Sequence, residues 1–509
     1  MRLRLPSRER IWVGFRTSRL VGLTLLTVIL TVQILQGDDE NVPWRHDWWD
    51  RLHKMAPRDR GDPADSPVVI VAIDSETMLT NGAWPWPRDK LAELVSQIAA
   101  LEASVIAFDI ILSNPDPQSP VNMAKDYRAY GRLEAAEALE RVGDTDAFFA
   151  QILRDGYRDD RGNIVVRAAP VVLPITGIPD YTDEVKGQGC DFPRPAVDVP
   201  KEGLGLQKGF NAAEPALLDF IQPRPGLQEA AMAAINFNAS DDFVVRRVKA
   251  VQRMCGAHFL LLGAEALRIG SGQFRSTVTS SDSGHQVVLG SPGDTNALTF
   301  PVESNGDFWL HFGELGTAEE VAKRYLPALS LFDPDFDPAR IAGKIVLLAV
   351  IDLGRIDERK SPLGDTIWGI EAHAQMIEQI AGQDFLRRPW FLFYVETLLV
   401  GGLSILVIIL VPRAPPVQSL LLLPMGIAGL LFLSWIAFTS GLLIDLASPA
   451  LAVTIVAGGV IGLTLIERDR ERLRSEIELQ SERADRSFLQ GALDAAARSE
   501  TERGPPTLF

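Results

Sequence analysis

The sequence predicts an α/β domain, with a mostly parallel sheet and flanking helices, carried by four transmembrane α-helices. Two observations predict it. Four uncharged or nearly uncharged apolar blocks stand apart from the rest, one near the N-terminus and three towards the C-terminus. Between them lie short continuous apolar runs that end in acids and alternate with helical periodicity, as in strands buried on both faces.

The first block is Leu20–Gln36, at the lower limit of what a bilayer requires. Six arginines precede it (Arg2, Arg4, Arg8, Arg10, Arg16 and Arg19), which places the segment 1–19 on the cytoplasmic side. A cleaved secretory peptide is the other reading, but no A-x-A-like site comes after the block, so a retained anchor is expected. Trp390–Val411, Val417–Thr439 and Leu446–Ile466 are each long enough to span. Arg413 lies between the first two of these, a loop without Lys or Arg joins the next pair, and Arg468, Arg470, Arg472 and Arg474 come after the last. Four crossings with both termini cytoplasmic satisfy every loop. Residues 38–388 are then extracytoplasmic, and 467–509 form a cytoplasmic helical tail.

Composition sets further bounds. The chain has 509 residues, 47% of them apolar, with 50 Lys+Arg against 66 Asp+Glu and a net charge of −16. Mean hydropathy is +0.08. These values exclude wholesale disorder and collagen-like architecture. Two cysteines exclude a disulfide-dense scaffold and any zinc site built from three or four thiolates. Residues 1–37 carry +5, 389–466 carry −1 and the tail −2, which leaves −18 on residues 38–388. Such a surface repels phosphate backbones, so no nucleic-acid partner is expected. It serves solubility, or it attracts a cationic ligand or metal ions.

Ser66–Asp74 (SPVVIVAID) and Ser104–Leu112 (SVIAFDIIL) read as buried strands. Between them Pro87 suits the first turn of a helix, and Leu91, Leu94, Val95 and Ile98 recur at helical spacing through Lys90–Leu101. Strand, helix and strand make a βαβ unit.

VVIVAID, then WPWPR at Trp84–Arg88, then VIAFDIIL and Asp116 after it, resemble the start of the CHASE2 domain. Gly343–Leu348, Ser361-Pro362-Leu363-Gly364 and Gly369-Ile370-Glu371-Ala372-His373-Ala374 are similar to its closing strand, loop and helix. Val244–Arg247 and Asn305–Phe312 fit weaker family patterns. The resemblance covers about residues 30–466 and implies an extracytoplasmic sensor of a bacterial membrane receptor, with one membrane helix before it and three after. That layout agrees with the hydropathy. It places the chain in the bacterial inner membrane, multi-pass, with the sensor in the periplasm. The sequence departs from the pattern where Ala349-Val350-Ile351-Asp352 replaces a glycine-rich turn. Gln118–Asp160 and Ile175–Gly226 read as insertions. In an oxidising periplasm Cys190 and Cys255 form one disulfide or remain separate thiols.

The candidate sites lie at the strand ends and along the route to the membrane. Asp74 and Asp109 end buried strands, where open parallel sheets bind ligands; they hold a hard cation or cationic ligand, or they only cap the next turn or helix. Trp84 and Trp86, stiffened by prolines, form a ligand wall or plug the gap between helix and sheet. Arg88 opens a helix against the dipole and requires a carboxylate, for which Asp74 or Asp109 is expected. His373 lies with Ile370, Ile377 and Ile380 on one helix face, as a core residue or a sensor. The helix ending near Gly382 leads through Arg387-Arg388 to the second membrane helix, which carries Glu396; Asp445 opens the last. His373, Arg387, Arg388 and Glu396 are therefore the candidates for signal transmission, with both membrane acids near the outer interface. Gly401-Gly402, Gly426–Gly429 and Gly458-x-x-x-Gly462 would let helices approach closely.

H-E-x-x-H, G-x-S-x-G, P-loop and dinucleotide motifs do not occur, so neither an enzyme nor a cofactor is expected. Family members usually carry a cyclase or kinase after the last helix. The 43 residues Glu467–Phe509 are too few for one, and Leu473, Ile477, Gln480 and Ala484 make a weak coiled-coil seam for a homodimer or a partner. The expected function is sensing of an unidentified extracytoplasmic ligand, signalled to a separate cytoplasmic effector. A non-signalling envelope assembly or docking protein is the alternative, and an outer-domain enzyme the third reading.

Overall fold

The computed structural model describes residues 17–37, 42–159, 161–178, 197, 219–221, 231–235, 242–254, 257–281, 284–351 and 358–502. Cys190 and Cys255 lie outside them, as does most of Ile175–Gly226. The chain divides into a helical unit (1–40, 391–436 and 444–509) and an α/β unit (41–390 with 437–443).

The α/β unit is built on a sheet of β1 (Val68–Ile73), β2 (Val105–Phe108), β3 (Val171–Ile178), β4 (Asp219–Ile221), β5 (Ala231–Ala234), β6 (Tyr325–Pro327) and β7 (Ile345–Val350). Six strands run parallel in the order β6–β1–β7–β2–β3–β5, and β4 pairs antiparallel with the end of β3. The strand–helix–strand unit read from the sequence is present, but β7 comes from the closing motif and inserts between β1 and β2. Side chains alternate across each strand. Val69, Val71, Ile73, Ile106, Phe108 and Leu348 face one core, which α1 (Arg88–Ala100) and α2 (Thr145–Asp155) cover through Leu91, Val95, Ile98, Phe149 and Ile152. Val68, Ile70, Val105, Ala107 and Leu347 face the other, beneath α3 (Leu262–Gly270) and α4 (Gly369–Gly382). Both faces are covered, so the strands read as unbroken apolar runs.

Gln118–Asp160 is therefore not a mere insertion. Helices Pro120–Ala129 and Leu133–Val142 lead into α2, whose fully buried Phe149 stacks edge-on against Phe108 at 6.2 Å. Where the family pattern has a glycine-rich turn, β7 continues to Val350, and 352–357 lie outside the described residues.

Among the described residues, four helices are long and apolar enough to cross a membrane: Thr17–Gln36, Leu392–Leu410, Gln418–Thr439 within Pro416–Thr439, and the first part of Ala447–Glu502. That last helix passes from the apolar block into the charged tail without a break. The first, second and fourth helices pack around Leu26, Val400, Ile408, Ala452, Val456 and Val460. The glycines at the close approaches are not those expected. A Cβ on Gly22 would stand 2.7 Å from Val460 and 2.8 Å from Ile408, and one on Gly459 2.8 Å from Leu25. Gly401, Gly402, Gly426, Gly429, Gly458 and Gly462 have nothing within 4 Å of that position. The spacing marks faces where small residues permit contact, and packing selects others.

Gly263 fixes the distance between α3 and α4, since a Cβ there would meet the His373 carbonyl oxygen at 2.8 Å. Gly263→Val is expected to destabilise the α/β unit by about 1–3 kcal/mol through overpacking. Gly382→Ala, with open space around it, should be neutral. Chemical denaturation monitored by far-UV circular dichroism would distinguish them; equal midpoints would refute the packing argument.

Candidate functional site

The WPWPR motif folds into a knot of hydrogen bonds. Asp116, fully buried, accepts from the Arg88 amide at 2.8 Å and the Thr145 hydroxyl at 2.7 Å through Oδ2, and from the Gln118 amide at 2.9 Å through Oδ1. A carboxylate thus sits at the N-terminus of α1 and offsets the unfavourable position of Arg88 there. The carboxylate placed beside the Arg88 guanidinium is that of Asp146, with Nε 3.5 Å from Oδ1, rather than Asp74. Asp146 is on α2 and also accepts from the Asp116 amide. Asp74 is committed elsewhere: it caps the short helix Ser75–Asn81, accepting from the Thr77 amide at 2.9 Å. Trp86 is buried and donates its indole N–H to the Gly82 carbonyl at 2.7 Å; Trp84 lies 6.3 Å from it, half-buried against the same core. Both rings plug the gap between helix and sheet.

Asp74 and Asp109 both remain half-buried at the carboxyl ends of their strands. Intervening β7 separates those strands, which puts them about 10 Å apart. Among the described residues no three His, Cys, Asp or Glu side chains converge to hold a metal ion.

On the opposite face of the sheet, α4 carries a polar stripe that sequence reasoning missed: Glu371, Gln375, Glu378 and Gln379, all buried. Gln375 accepts from the Gly313 amide at 2.8 Å and donates to its carbonyl at 3.1 Å; Gln379 accepts from the His311 amide and donates to the Trp309 carbonyl, both at 3.0 Å. Four helical residues rise about 6 Å and two extended residues about 6.6 Å, so two glutamines one turn apart can pair with a strand edge. Glu378 gathers three arginines: Arg58 at 2.9 Å, Arg60 at 2.8 Å and Arg324 at 2.8 Å, with Ser66 at 3.1 Å. Glu371 accepts from Arg60 at 2.6 Å and from the Tyr325 hydroxyl at 2.5 Å. Burial acts to raise the Glu378 carboxyl, but Arg60, Arg58 and Arg324 outweigh it and hold it below the usual carboxylate range. Burial, and then Glu371, push the Tyr325 phenol well above its ordinary value. The i, i+4, i+7, i+8 spacing on one helix face was the available signal.

His373 faces away from this stripe, fully buried, with Nδ1 accepting the Gly263 amide at 3.3 Å. Burial lowers its pKa to about 3, so it stays neutral and packs α4 against α3.

Beyond α4 the chain reaches Arg387 and Arg388, where the structure adds a partner. The Arg387 amide donates to Gly441 O at 2.8 Å and the Leu443 amide to Arg387 O at 2.9 Å, in a parallel bridge. Arg388 donates to the Leu443 carbonyl at 3.1 Å and lies over the Trp49 ring at 5.5 Å. Phe438 stacks edge-on against His53 at 4.9 Å and His311 at 5.3 Å. Gly441 has φ +79, and a Cβ there would lie 2.5 Å from Phe385 O, so only glycine fits. Within the helical unit, Glu396 is fully buried and accepts the Asp445 amide at 2.7 Å, while Asp445 caps the fourth helix by accepting from Ser448. Two membrane acids thereby join the second helix to the start of the fourth.

Glu378→Gln should leave three arginines undercompensated and cost about 3–5 kcal/mol. Because its folded pKa is depressed, the stabilisation it gives is present above about pH 4.5 and lost as pH falls through the folded value. Urea titrations at pH 7 and pH 4 would therefore find wild type and variant far apart at the first and closer at the second; a constant gap would exclude this role.

The sequence profile of the CHASE2 domain matches residues 23–412, more than half of the chain. No curated protein and no solved structure matches it. The profile spans the parallel sheet, the WPWPR knot, α4 and the second membrane helix. CHASE2 is a sensory domain family, and the chain belongs to it.

Proposed function

We propose that this protein is an integral membrane sensor whose α/β unit lies on the extracytoplasmic side and answers an extracytoplasmic ligand. The observation that carries the reading is the bridge between Arg387 and Gly441–Leu443. Through it one folded body holds both the residues just before the second membrane helix and the loop that leads into the fourth. A shift of α4 against the sheet then has two outlets, and the second continues through Ala447–Glu502 to the cytoplasmic side, where a separate effector reads it. The open carboxyl end of the sheet, with Asp74 and Asp109, is the ligand face, the position at which open parallel sheets bind. The WPWPR knot supports this face from beneath.

An acidic docking surface without switching is the second reading. The −18 carried by residues 38–388 favours it, since such a charge draws basic partners over long range.

Reporter fusions near residue 250 and at the C-terminus should report opposite sides of the membrane; the same side for both would end the sensor reading. For transmission, Gly441→Val should strain the loop by about 1–3 kcal/mol and break the bridge. In reconstituted protein it should alter nitroxide mobility at Leu473 relative to wild type. Identical spectra would favour docking without switching.

A further inference from the structure

We propose that the helix Ala447–Glu502 pairs, parallel and side by side, with the same helix of a second copy of this chain, along one stripe of residues that runs unbroken from the apolar block into the charged extension. The proposal goes beyond the sensor reading: it requires the apolar helices to cross one membrane, and it requires no ligand.

Leu451, Gly462, Leu473, Ala484 and Ala495 recur every eleven residues, and Ile455, Ile466, Ile477 and Phe488 follow the first four of them at a distance of four. Eleven residues complete three helical turns with about 20° over, so the set stays on one face, and a slight right-handed supercoil holds it there. All nine residues are exposed. A heptad drawn through Leu473 and Ile477 continues instead through Gln480, Ser487, Gly491 and Asp494, which is why the seam is weak at that spacing. Leu479, Leu489 and Leu493, exposed on other faces, have no such repeat.

The rest of the helical unit attaches elsewhere on this helix. Val456 and Val460, about 120–160° round the helix from the stripe, pack with the first and second membrane helices. Glu467 accepts from the Ser18 amide and hydroxyl, both at 3.0 Å, and Arg468 donates to the Pro412 and Ala414 carbonyls, both at 3.0 Å; these two residues also lie off the stripe. On the stripe itself, a Cβ on Gly462 would meet nothing of this chain within 4 Å, so a second backbone can approach closely there.

Three features make a second copy the occupant. Lipid would cover the stripe from Leu451 to Ile466, but it cannot follow it past Glu467, where the helix becomes charged and Leu473, Ile477, Ala484, Phe488 and Ala495 continue the same face. A partner must match one repeat on both sides of that boundary, and the same helix related by a two-fold axis does so by symmetry. Charge agrees. Nearest the stripe in the extension, Asp469 and Glu476 lie on one flank and Arg470 and Arg474 on the other. A parallel pair sets the acidic flank of each copy beside the basic flank of its partner, whereas an antiparallel pair would set like charges together. Area agrees as well. Leu451, Ile455, Ile466, Leu473, Ile477 and Phe488 are 41–77% exposed. At roughly 180 Å² for a fully exposed side chain of this size, two copies cover about 1,200 Å² before the flanks are added, the threshold of a stable interface.

The test uses the purified full chain in liposomes at a high ratio of lipid to protein, with p-benzoylphenylalanine placed at one position at a time and cross-linked by light. Placed at Leu473, Ile477, Ala484 or Phe488 it should give a covalent dimer; placed at Ser475, Glu482 or Arg486, on the opposite face, it should not. The yield at Phe488 should exceed that at Ser487, which a heptad seam would favour. Two variants, Gly462→Leu and the double change Leu473→Asp with Ile477→Asp, should each lower the yield from position 484 several-fold while the far-UV circular dichroism stays that of the wild type. No dimer from the stripe positions, equal yields from both faces, a maximum at Ser487, or an undiminished yield in either variant would overturn the proposal. Since no ligand enters these measurements, such a failure would leave the sensor reading standing, and failure of ligand sensing would leave the dimer untouched.

Discussion

One buried carboxylate organises the second face of the sheet. Glu378 accepts from Arg58, Arg60 and Arg324, drawn from two distant stretches of chain, at a place where each alone would be too costly to bury. Without it those guanidiniums would need water, and the segments before β1 and before β6 would have no reason to close over α4. The glutamines on the same helix tie down Trp309–Gly313 in the same manner. The helix that leads towards the membrane is thus locked to its domain by polar contacts of defined direction as well as by hydrophobic contact. Directional contacts of this kind favour discrete arrangements over a continuum.

The two ends of the α/β unit are built on contrasting principles. At the WPWPR knot every polar group named is committed to another: Asp116 to Arg88, Thr145 and Gln118, and Asp146 to Asp116 and Arg88. This rigidity suits a fixed support beside the sheet. Arg388, by contrast, meets a backbone carbonyl and an aromatic face.

Much of this was legible in the sequence. SPVVIVAID and SVIAFDIIL could only be strands buried on both faces, and they are β1 and β2. The membrane blocks fell within a few residues of the helices because apolar length has few alternative explanations. Long-range pairing was not legible. Nothing local in Arg58, Arg60 or Arg324 announces that one glutamate more than fifty residues away will hold them all. Asp146, the partner of Arg88, lay in a stretch that read as an insertion. The stripe Glu371, Gln375, Glu378, Gln379 was visible as a pattern, but the apolar positions and His373 on the other face of the helix masked it. Likewise G-x-x-x-G spacing marked Gly458 and Gly462, whereas contact fell on Gly459, because spacing cannot say which face of a helix meets a neighbour.

The unbroken helix Ala447–Glu502 has a mechanical consequence. At 1.5 Å per residue its charged part extends about 50 Å beyond the apolar block. With no joint at the end of the apolar block it acts as a lever. A tilt of about 5° of that block would sweep its far end through about 5 Å, on the scale of one helical turn. Motions too small to resolve at the near end would be magnified at the far one.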